Sequence, residues 1–571
     1  MIDAMVKNVL QNITINDILE AINKKFGNKT ALRIKNEDGS FREISFVKLG
    51  RRVVSISSVL INLGIQKLDR VAIFSENRPE WAAAYFGIIS SGGVILPIDV
   101  KLSDNEVSFI LNDSQAKCIF VSSKYLGTIT RLKASLPHLK NIILFDKSQR
   151  TDVIQLHKLR PHRGKERQRQ AYPEDTALIV YTSGTTGLAK GVELSYKNLL
   201  FQVLEFSEII HCTPKEHLLS VLPLSHMLEI TGGLIAPLYA GSCVTYCDTL
   251  KTSTLLPLMR ETGTTAMICV PLVLTLIHSG IMKKAAKLAP FRQKAFKAFL
   301  SISAFLLRFN IRIGRLLFRQ VHKEFGGQLH AFISGGAPLD IDVEMGLNVF
   351  GFRILQGYGL TETAPVISVN TLRHNRFGSV GRPLPGVEVM ILKEKSADTE
   401  GEVLTRGPHV MKGYFRNPEK TAQVIKDGWF HTGDLGYLDK DGFLYISGRK
   451  KNMIVLGGGK KVFPEEVESV MAHSPYIKEI CVLARTAERG LRKGHEEVYA
   501  VIVPNLELFE AEKITAKEEI RGGLSSEIAR LSKDLAPYKR IMGFEISYEE
   551  LPKTVTKKVR RDVVAGMAGP R

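Results

Sequence analysis

The stretch YTSGTTGLAKG, residues 181–191, concentrates glycine and hydroxyl side chains and closes on one lysine. Glycines let a backbone turn several N–H groups toward one point, serine and threonine add hydroxyl donors, and Lys190 supplies a full positive charge. Such a loop suits a polyphosphate. Its spacing is not that of the common phosphate loop, which puts four residues between its first glycine and a Gly-Lys pair, because Gly184, Gly187 and Lys190 are spaced by threes. A plain solvated turn has the same composition, so the ligand must be read from the rest of the chain.

Six further stretches follow in order: LPLSHMLE from Leu222, ISGGAPLD from Ile333, QGYGLTET from Gln356, GWFHTGDLG from Gly428, GRKKNMIVLGGGKKVFPEEVE from Gly448 and LPKTVTKKVRR from Leu551. The ordered set resembles the adenylate-forming enzymes, which include acyl-CoA synthetases, aryl-CoA ligases, luciferases and the adenylation domains of peptide synthetases. The likeness covers most of the chain. ISGGAPLD, YGLTETAPVISVN and GRKKNMIVL are most similar to the long-chain fatty acyl-CoA synthetase branch.

The resemblance implies a two-step reaction. A carboxylate, a poor electrophile, attacks the α-phosphorus of ATP with Mg2+ present, giving an acyl-adenylate and pyrophosphate, and a thiol then displaces AMP. The expected substrates are a long- or medium-chain fatty acid, ATP and CoA, with acyl carrier protein as an alternative acceptor. A basic membrane- or nucleic-acid-binding protein with a degenerate nucleotide site is the alternative from another class.

The resemblance also assigns residues. Thr182, Ser183, Gly184, Thr185, Thr186, Gly187 and Lys190 would grip the β- and γ-phosphates and the leaving pyrophosphate. Glu362 would hold Mg2+, a hard cation that takes oxygen ligands, and Thr361 beside it would bond the α-phosphate. Tyr358, set among Gln356, Gly357 and Gly359, offers an aromatic face to adenine, while Gly335, Gly336 and Ala337 approach the base edge. Asp434 and Arg449 would contact the ribose. His226, three residues before Glu229, resembles a pair that relatives place beside the reacting carboxylate, in a positioning or gating role. Lys558 matches the adenylation lysine. Lys557 stands where most relatives have glycine, so Lys553 and Lys557 remain rivals for that role. Lys451 matches the hinge about which relatives swing their C-terminal domain, and Gly457, Gly458 and Gly459 resemble the loop lining the pantetheine tunnel.

These residues need a scaffold. Leu49, Val53, Ile56, Leu60 and Leu63 recur at helical spacing, Gly64 can cap the helix, and RVAIFS from Arg70 reads as a buried strand. The alternation continues with a helix in PEWAAAYFGIISSG, a strand in GVILPID, a capping box of Ser103 with Glu106, and a strand in CIFVSS. Uniformly apolar strands between helices predict an α/β fold whose sheets are covered on both faces. The glycine-threonine loop follows the strand-like TALIVY, and ligand loops in such folds lie at the carboxyl ends of strands. The expected layout is a large N-terminal domain over 1–447, a hinge at 448–451, and a smaller mobile α+β domain over 452–571.

With 571 residues, the chain is too long for one core, and its 44% hydrophobic and 24% charged composition argues against disorder. A formal charge of +20 predicts acidic partners without choosing among phosphates, an acidic carrier, anionic lipid or nucleic acid. The six cysteines are scattered without a CxxC pair, as in reduced core positions, and the N-terminus lacks a secretory pattern, so the expected setting is cytoplasmic. Residues 81–98, 230–247 and 264–282 lack charge but are broken by glycine or proline, and read as buried helix-and-strand pairs. The basic stretch 157–170 reads as a solvated connection with no specific nucleic-acid role. Residues 281–323 carry eleven Lys or Arg and no Asp or Glu. There Phe305, Phe309, Ile313 and Leu316 are expected to form one helical stripe, and Arg308, Arg312, Arg315 and Arg319 another, suited to an anionic membrane at the inner face; a solvated basic face on a packed helix or a dimer contact is the alternative.

Overall fold

The computed structural model describes residues 15–158, 171–182, 189–209, 212–395, 398–456, 460–487, 496–553 and 559–567. Two compact units divide the chain, Met1–Glu388 with Thr405–Phe430, and Val389–Leu404 with His431–Arg571.

The predicted alternation is present in the first unit. Helix Phe46–Asn62 buries Leu49, Val53, Ile56 and Leu60, and Gly64 follows its end at φ +79°. Strand Arg70–Phe74, the wholly buried helix Pro79–Ser90 and strand Val94–Pro97 come next. The capping box on helix Asp104–Asp113 is complete, with Ser103 and Glu106 each bonding the other's backbone. Strand Cys118–Val121 joins a sheet ordered 413–414, 190–195, 176–182, 94–97, 70–74, 118–121, 141–144, 154–155. Its members from 70–74 to 154–155 run parallel, as helical crossovers require, whereas 176–182 and 190–195 are antiparallel.

A second large sheet in this unit follows the order 382–383, 366–369, 353–359, 331–334, 266–269, 217–220, 243–246, 30–35, 41–45. The central strands are parallel, and 266–269 and 331–334 are buried at every residue. All six cysteines are free thiols, and all but Cys212 are buried.

In the second unit, strand Trp429–Leu438, most of which lies there, pairs antiparallel with Leu444–Arg449. A separate sheet joins Ile477–Thr486, Glu496–Pro504 and Gly543–Ile546, covered by helices Pro464–Met471 and Lys517–Leu531 around Val467, Met471, Val482, Ile502 and Leu524. Arg561 ties the last helix to this core, reaching Glu465 at 2.9 Å, Glu468 at 2.6 Å and the Val482 carbonyl at 3.0 Å.

One expectation is corrected. The stripes drawn through 305–319 assume a single helix, but helix Pro290–Leu307 ends there, Asn310 turns at φ +59°, and short helices resume at Gly314–Leu317 and Arg319–Glu324. Arg312 and Arg315 are consequently turned onto the protein, bonding Asn348 Oδ1 and the Leu329 carbonyl at 3.0 Å each. Among the described residues no helix is long and apolar enough to cross a membrane.

Candidate nucleotide and carboxylate site

The glycine-threonine loop closes a hairpin whose last rung pairs Thr182 with Lys190. Ser183, Gly184, Thr185, Thr186 and Gly187 lie outside the described residues. Beyond the hairpin, strand Gly413–Tyr414 adds to the Lys190–Ser195 edge and brings Tyr414 beneath the lysine, whose Nζ sits 5.1 Å from the ring centroid. Tyr414 in turn donates its hydroxyl hydrogen to Glu362 Oε1 at 3.0 Å. Burial, and then the Glu362 carboxylate, push the Tyr414 phenol well above its ordinary pKa, so it remains a donor. Lys190 and Glu362 are thereby joined through one aromatic residue.

Glu362 is held from several directions. It lies in the turn Thr361–Thr363 after strand Arg353–Gly359, and its carbonyl accepts the Met411 N–H at 2.8 Å. Gln202, buried on helix Tyr196–Ile209, donates to the carbonyls of Thr363 and Val366 at 3.1 and 2.7 Å, and Asn198 on that helix holds Pro408 and Val410. The approach is close enough to require glycine at 359, where a Cβ would fall 1.8 Å from the Pro365 carbonyl oxygen. Thr361, Glu362 and Tyr358 are half-buried. The Glu362 carboxylate and the neighbouring Thr361 hydroxyl are oxygen donors of the kind a hard cation takes.

Three further motifs of the first unit meet at the parallel strands of the second large sheet. Gly335 follows strand Ala331–Ser334, Gly336 turns at φ +85°, and a Cβ at Gly335 would meet Leu228 at 3.2 Å and the Gly357 carbonyl at 3.6 Å. So ISGGAPLD, QGYGLTET and LPLSHMLE abut. Gln356 is buried and donates to Glu344 Oε2 at 2.7 Å, so its side chain fixes the strand from behind. Burial, opposed by the Gly378 N–H and Gln356, raises Glu344 to about 7.

His226 has a partner that the sequence reading did not find. Its Nε2 lies 3.1 Å from Asp99 Oδ2, just past the end of strand Val94–Pro97 in the other large sheet. Burial works to raise the Asp99 carboxyl, but His226, the Lys101 N–H and the Ser225 hydroxyl outweigh it and hold it below its ordinary value. Asn77 locks the same segment, bonding the Leu222 carbonyl at 2.6 Å and the Leu224 N–H at 2.9 Å. Glu229 faces elsewhere. It is fully buried at the start of the π-helix Glu229–Ile235, and burial, opposed by the Ser220 hydroxyl, lifts it to about 8. Burial thus favours its protonated form, and the carboxylate beside His226 is that of Asp99.

In the second unit Asp434 and Arg449 are directly opposed on the hairpin, Nε to Oδ1 at 2.9 Å, with Asp434 3% exposed. Lys451 lies in the turn Lys450–Asn452. Lys553 bridges to Val559 and is ion-paired with Glu479 at 2.5 Å; Lys557, Lys558, Gly457, Gly458 and Gly459 lie outside the described residues.

Tyr414 and Asp99 were missed because neither sits in a motif. The available signal was position, since Asp99 ends an apolar strand of a predicted parallel sheet, where ligand groups gather.

Comparison with known proteins agrees with this geometry. Residues 19–415 match the family of AMP-binding enzymes. The chain is 33% identical over 465 residues to the long-chain-fatty-acid–CoA ligase FadD15 of Mycobacterium bovis, covering 78% of this chain and 76% of that one. It is 27% identical to the chloroplastic long-chain-fatty-acid–[acyl-carrier-protein] ligase AEE15 of Arabidopsis thaliana, over 96% of this chain and 84% of that one. Its fold is similar to that of the anthranilate CoA ligase AuaEII in complex with anthranoyl-AMP, with a TM-score of 0.81 at 22% identity over 99% and 98% of the two chains. A match that spans residues 19–415, most of the chain, leaves one conclusion: this protein belongs to the AMP-binding enzyme family.

Proposed function

We propose that the protein activates a long- or medium-chain fatty acid with ATP, forming an acyl-adenylate and pyrophosphate, and passes the acyl group to CoA with release of AMP. The observation that carries this reading is the Lys190, Tyr414, Glu362 cluster, which sets a cation and a carboxylate at one polyphosphate position, in a chain whose relatives include a long-chain-fatty-acid–CoA ligase.

In this scheme Lys190 and Thr182, with the loop hydroxyls of Ser183, Thr185 and Thr186, neutralise the phosphates and the departing pyrophosphate. Glu362 would hold Mg2+, which supplies charge neutralisation between the phosphates. Thr361 bonds the α-phosphate, Tyr358 stacks on adenine, and the backbone of Gly335, Gly336 and Ala337 meets the base edge. Asp434, oriented by Arg449, accepts from the ribose hydroxyls. His226, fixed by Asp99, orients the fatty carboxylate. Lys558 offsets charge between carboxylate and α-phosphate. Lys553, held by Glu479, is the weaker rival. The segment 448–451, with Lys451, is the hinge between adenylating and thioester-forming poses, after which Gly457, Gly458 and Gly459 line the thiol path.

Transfer to acyl carrier protein is the second reading, favoured by the plant relative that is named for that acceptor. ATP–pyrophosphate exchange across a panel of carboxylic acids, followed by trapping with CoA or carrier protein, separates the two. Exchange with fatty acids and capture by CoA is expected; exchange with no acid would reject the activity.

A further inference from the structure

We infer that helix Pro290–Leu307 and the turn after it are an anionic-membrane docking face, made of an aromatic stripe bordered by cations. The reasoning begins with what the helix fails to bury. Of its eighteen residues, four are phenylalanines and four are leucine or isoleucine, yet Ser303 alone is buried. A helix of that composition in a core would hide its apolar side chains.

Its inner side is anchored to the unit. Phe296 packs on Phe318 and Phe350, at centroid distances of 5.3 and 6.0 Å, and Ser303 donates to the Val349 carbonyl at 2.7 Å. The outer side carries Phe291, Ile302 and Phe305 at helical spacing, with Phe309 just beyond, and three of these are largely exposed at 82% for Phe291, 58% for Phe305 and 64% for Phe309. The rings of Phe305 and Phe309 meet edge to face at 5.4 Å, so the exposed aromatic surface is a fixed patch. Leu316 and Ile311, after the turn, are exposed as well, at 77% and 49%. Large apolar side chains left in water along one segment mark an interaction surface.

The border names the partner. Arg292, Lys294, Lys297 and Arg308 are all exposed, and none has a carboxylate partner among the described residues. The whole segment 281–323 holds eleven basic and no acidic residues. Long basic side chains beside a ring-bearing stripe suit a bilayer interface, where rings enter the headgroup boundary and the cations reach anionic phosphates. A second copy of this face is a poor fit, because a two-fold contact would set like charges against each other. A nucleic-acid backbone would satisfy the cations but leave the aromatic stripe in water. The inward turn of Arg312 and Arg315 narrows the docking surface to the helix and the residues just after it. This inference does not depend on the catalytic reading, although a fatty acid dissolved in that bilayer would be delivered to the same unit.

The test is flotation of the full chain with phosphatidylcholine vesicles, with and without phosphatidylglycerol. Binding is expected only with phosphatidylglycerol, and to fall as salt rises. Each cation near such a surface is worth roughly fivefold in partitioning, so the Lys294→Glu, Lys297→Glu, Arg308→Glu triple variant should bind at least about a hundredfold more weakly. Phe291→Ser with Phe305→Ser should also abolish flotation while leaving the thermal melt unchanged, as expected for exposed positions. Equal binding to both vesicle types, or variants that float like the parent, would overturn the proposal. So would a lipid-free dimer that the same substitutions dissociate, since the face would then belong to a second copy.

Discussion

Tyr414 stands between Lys190 and Glu362, its ring 5.1 Å from the lysine Nζ and its hydroxyl 3.0 Å from the carboxylate. Substituting Tyr414→Phe keeps the ring under the lysine and removes the bond that orients Glu362. The Mg2+ concentration for half-maximal ATP–pyrophosphate exchange should rise about tenfold, the usual loss when an outer partner of a ligating carboxylate is deleted. Tyr414→Ala should lose more, because the cation–π contact goes as well. A Phe variant with an unchanged Mg2+ curve would remove Tyr414 from the site.

Glu229 gives a stability prediction with a fixed sign. Its folded pKa of about 8 exceeds the ordinary carboxylate value because burial disfavours the charge, so the folded chain binds the proton more tightly than the unfolded chain. That contribution is fully present below the unfolded value and is lost as pH rises toward 8. Glu229→Gln should therefore remove a pH-dependent loss of about 1–3 kcal/mol between pH 5 and 8 in denaturant titrations, provided the first unit unfolds in one transition. Parallel stability curves for parent and variant would contradict the assignment.

Much of this was legible in the chain. Apolar runs without alternation can be buried only in a sheet covered on both faces, so RVAIFS, GVILPID, CIFVSS and TALIVY each appear as strands of one sheet. The motifs give the loop hairpin, the Glu362 turn and the Asp434 hairpin because they encode local backbone shape. Asp99 and Tyr414 were not legible, because Asp99 meets His226 and Tyr414 meets Lys190 across more than a hundred positions, and no local pattern records that. Helical periodicity also misled at 305–319. Spacing cannot register that Asn310 leaves the right-handed region, or that two arginines find inward acceptors after the break.

Lysine substitutions separate the rival assignments near the C-terminus. Lys558→Ala should lower adenylate formation a hundred- to thousandfold while sparing thioester formation from supplied acyl-adenylate. Lys553→Ala should instead free Glu479 and change thermal stability more than exchange, since its charge is already engaged. Loss of exchange in the Lys553 variant alone would reverse the assignment.

Lys451→Pro tests the hinge. Proline fixes φ and removes the N–H, so exchange should persist while thioester release is blocked. Normal overall turnover in that variant would place the hinge elsewhere.

The central claim is that a fatty carboxylate oxygen bonds to the α-phosphorus of ATP. A fatty acid labelled with oxygen-18 in its carboxyl group, incubated with the protein, ATP, Mg2+ and CoA, tests this by mass spectrometry of the nucleotide product. The account predicts AMP bearing one oxygen-18, because the C–O bond breaks when the thiol attacks. Unlabelled AMP, or label recovered in inorganic phosphate beside ADP, would contradict it.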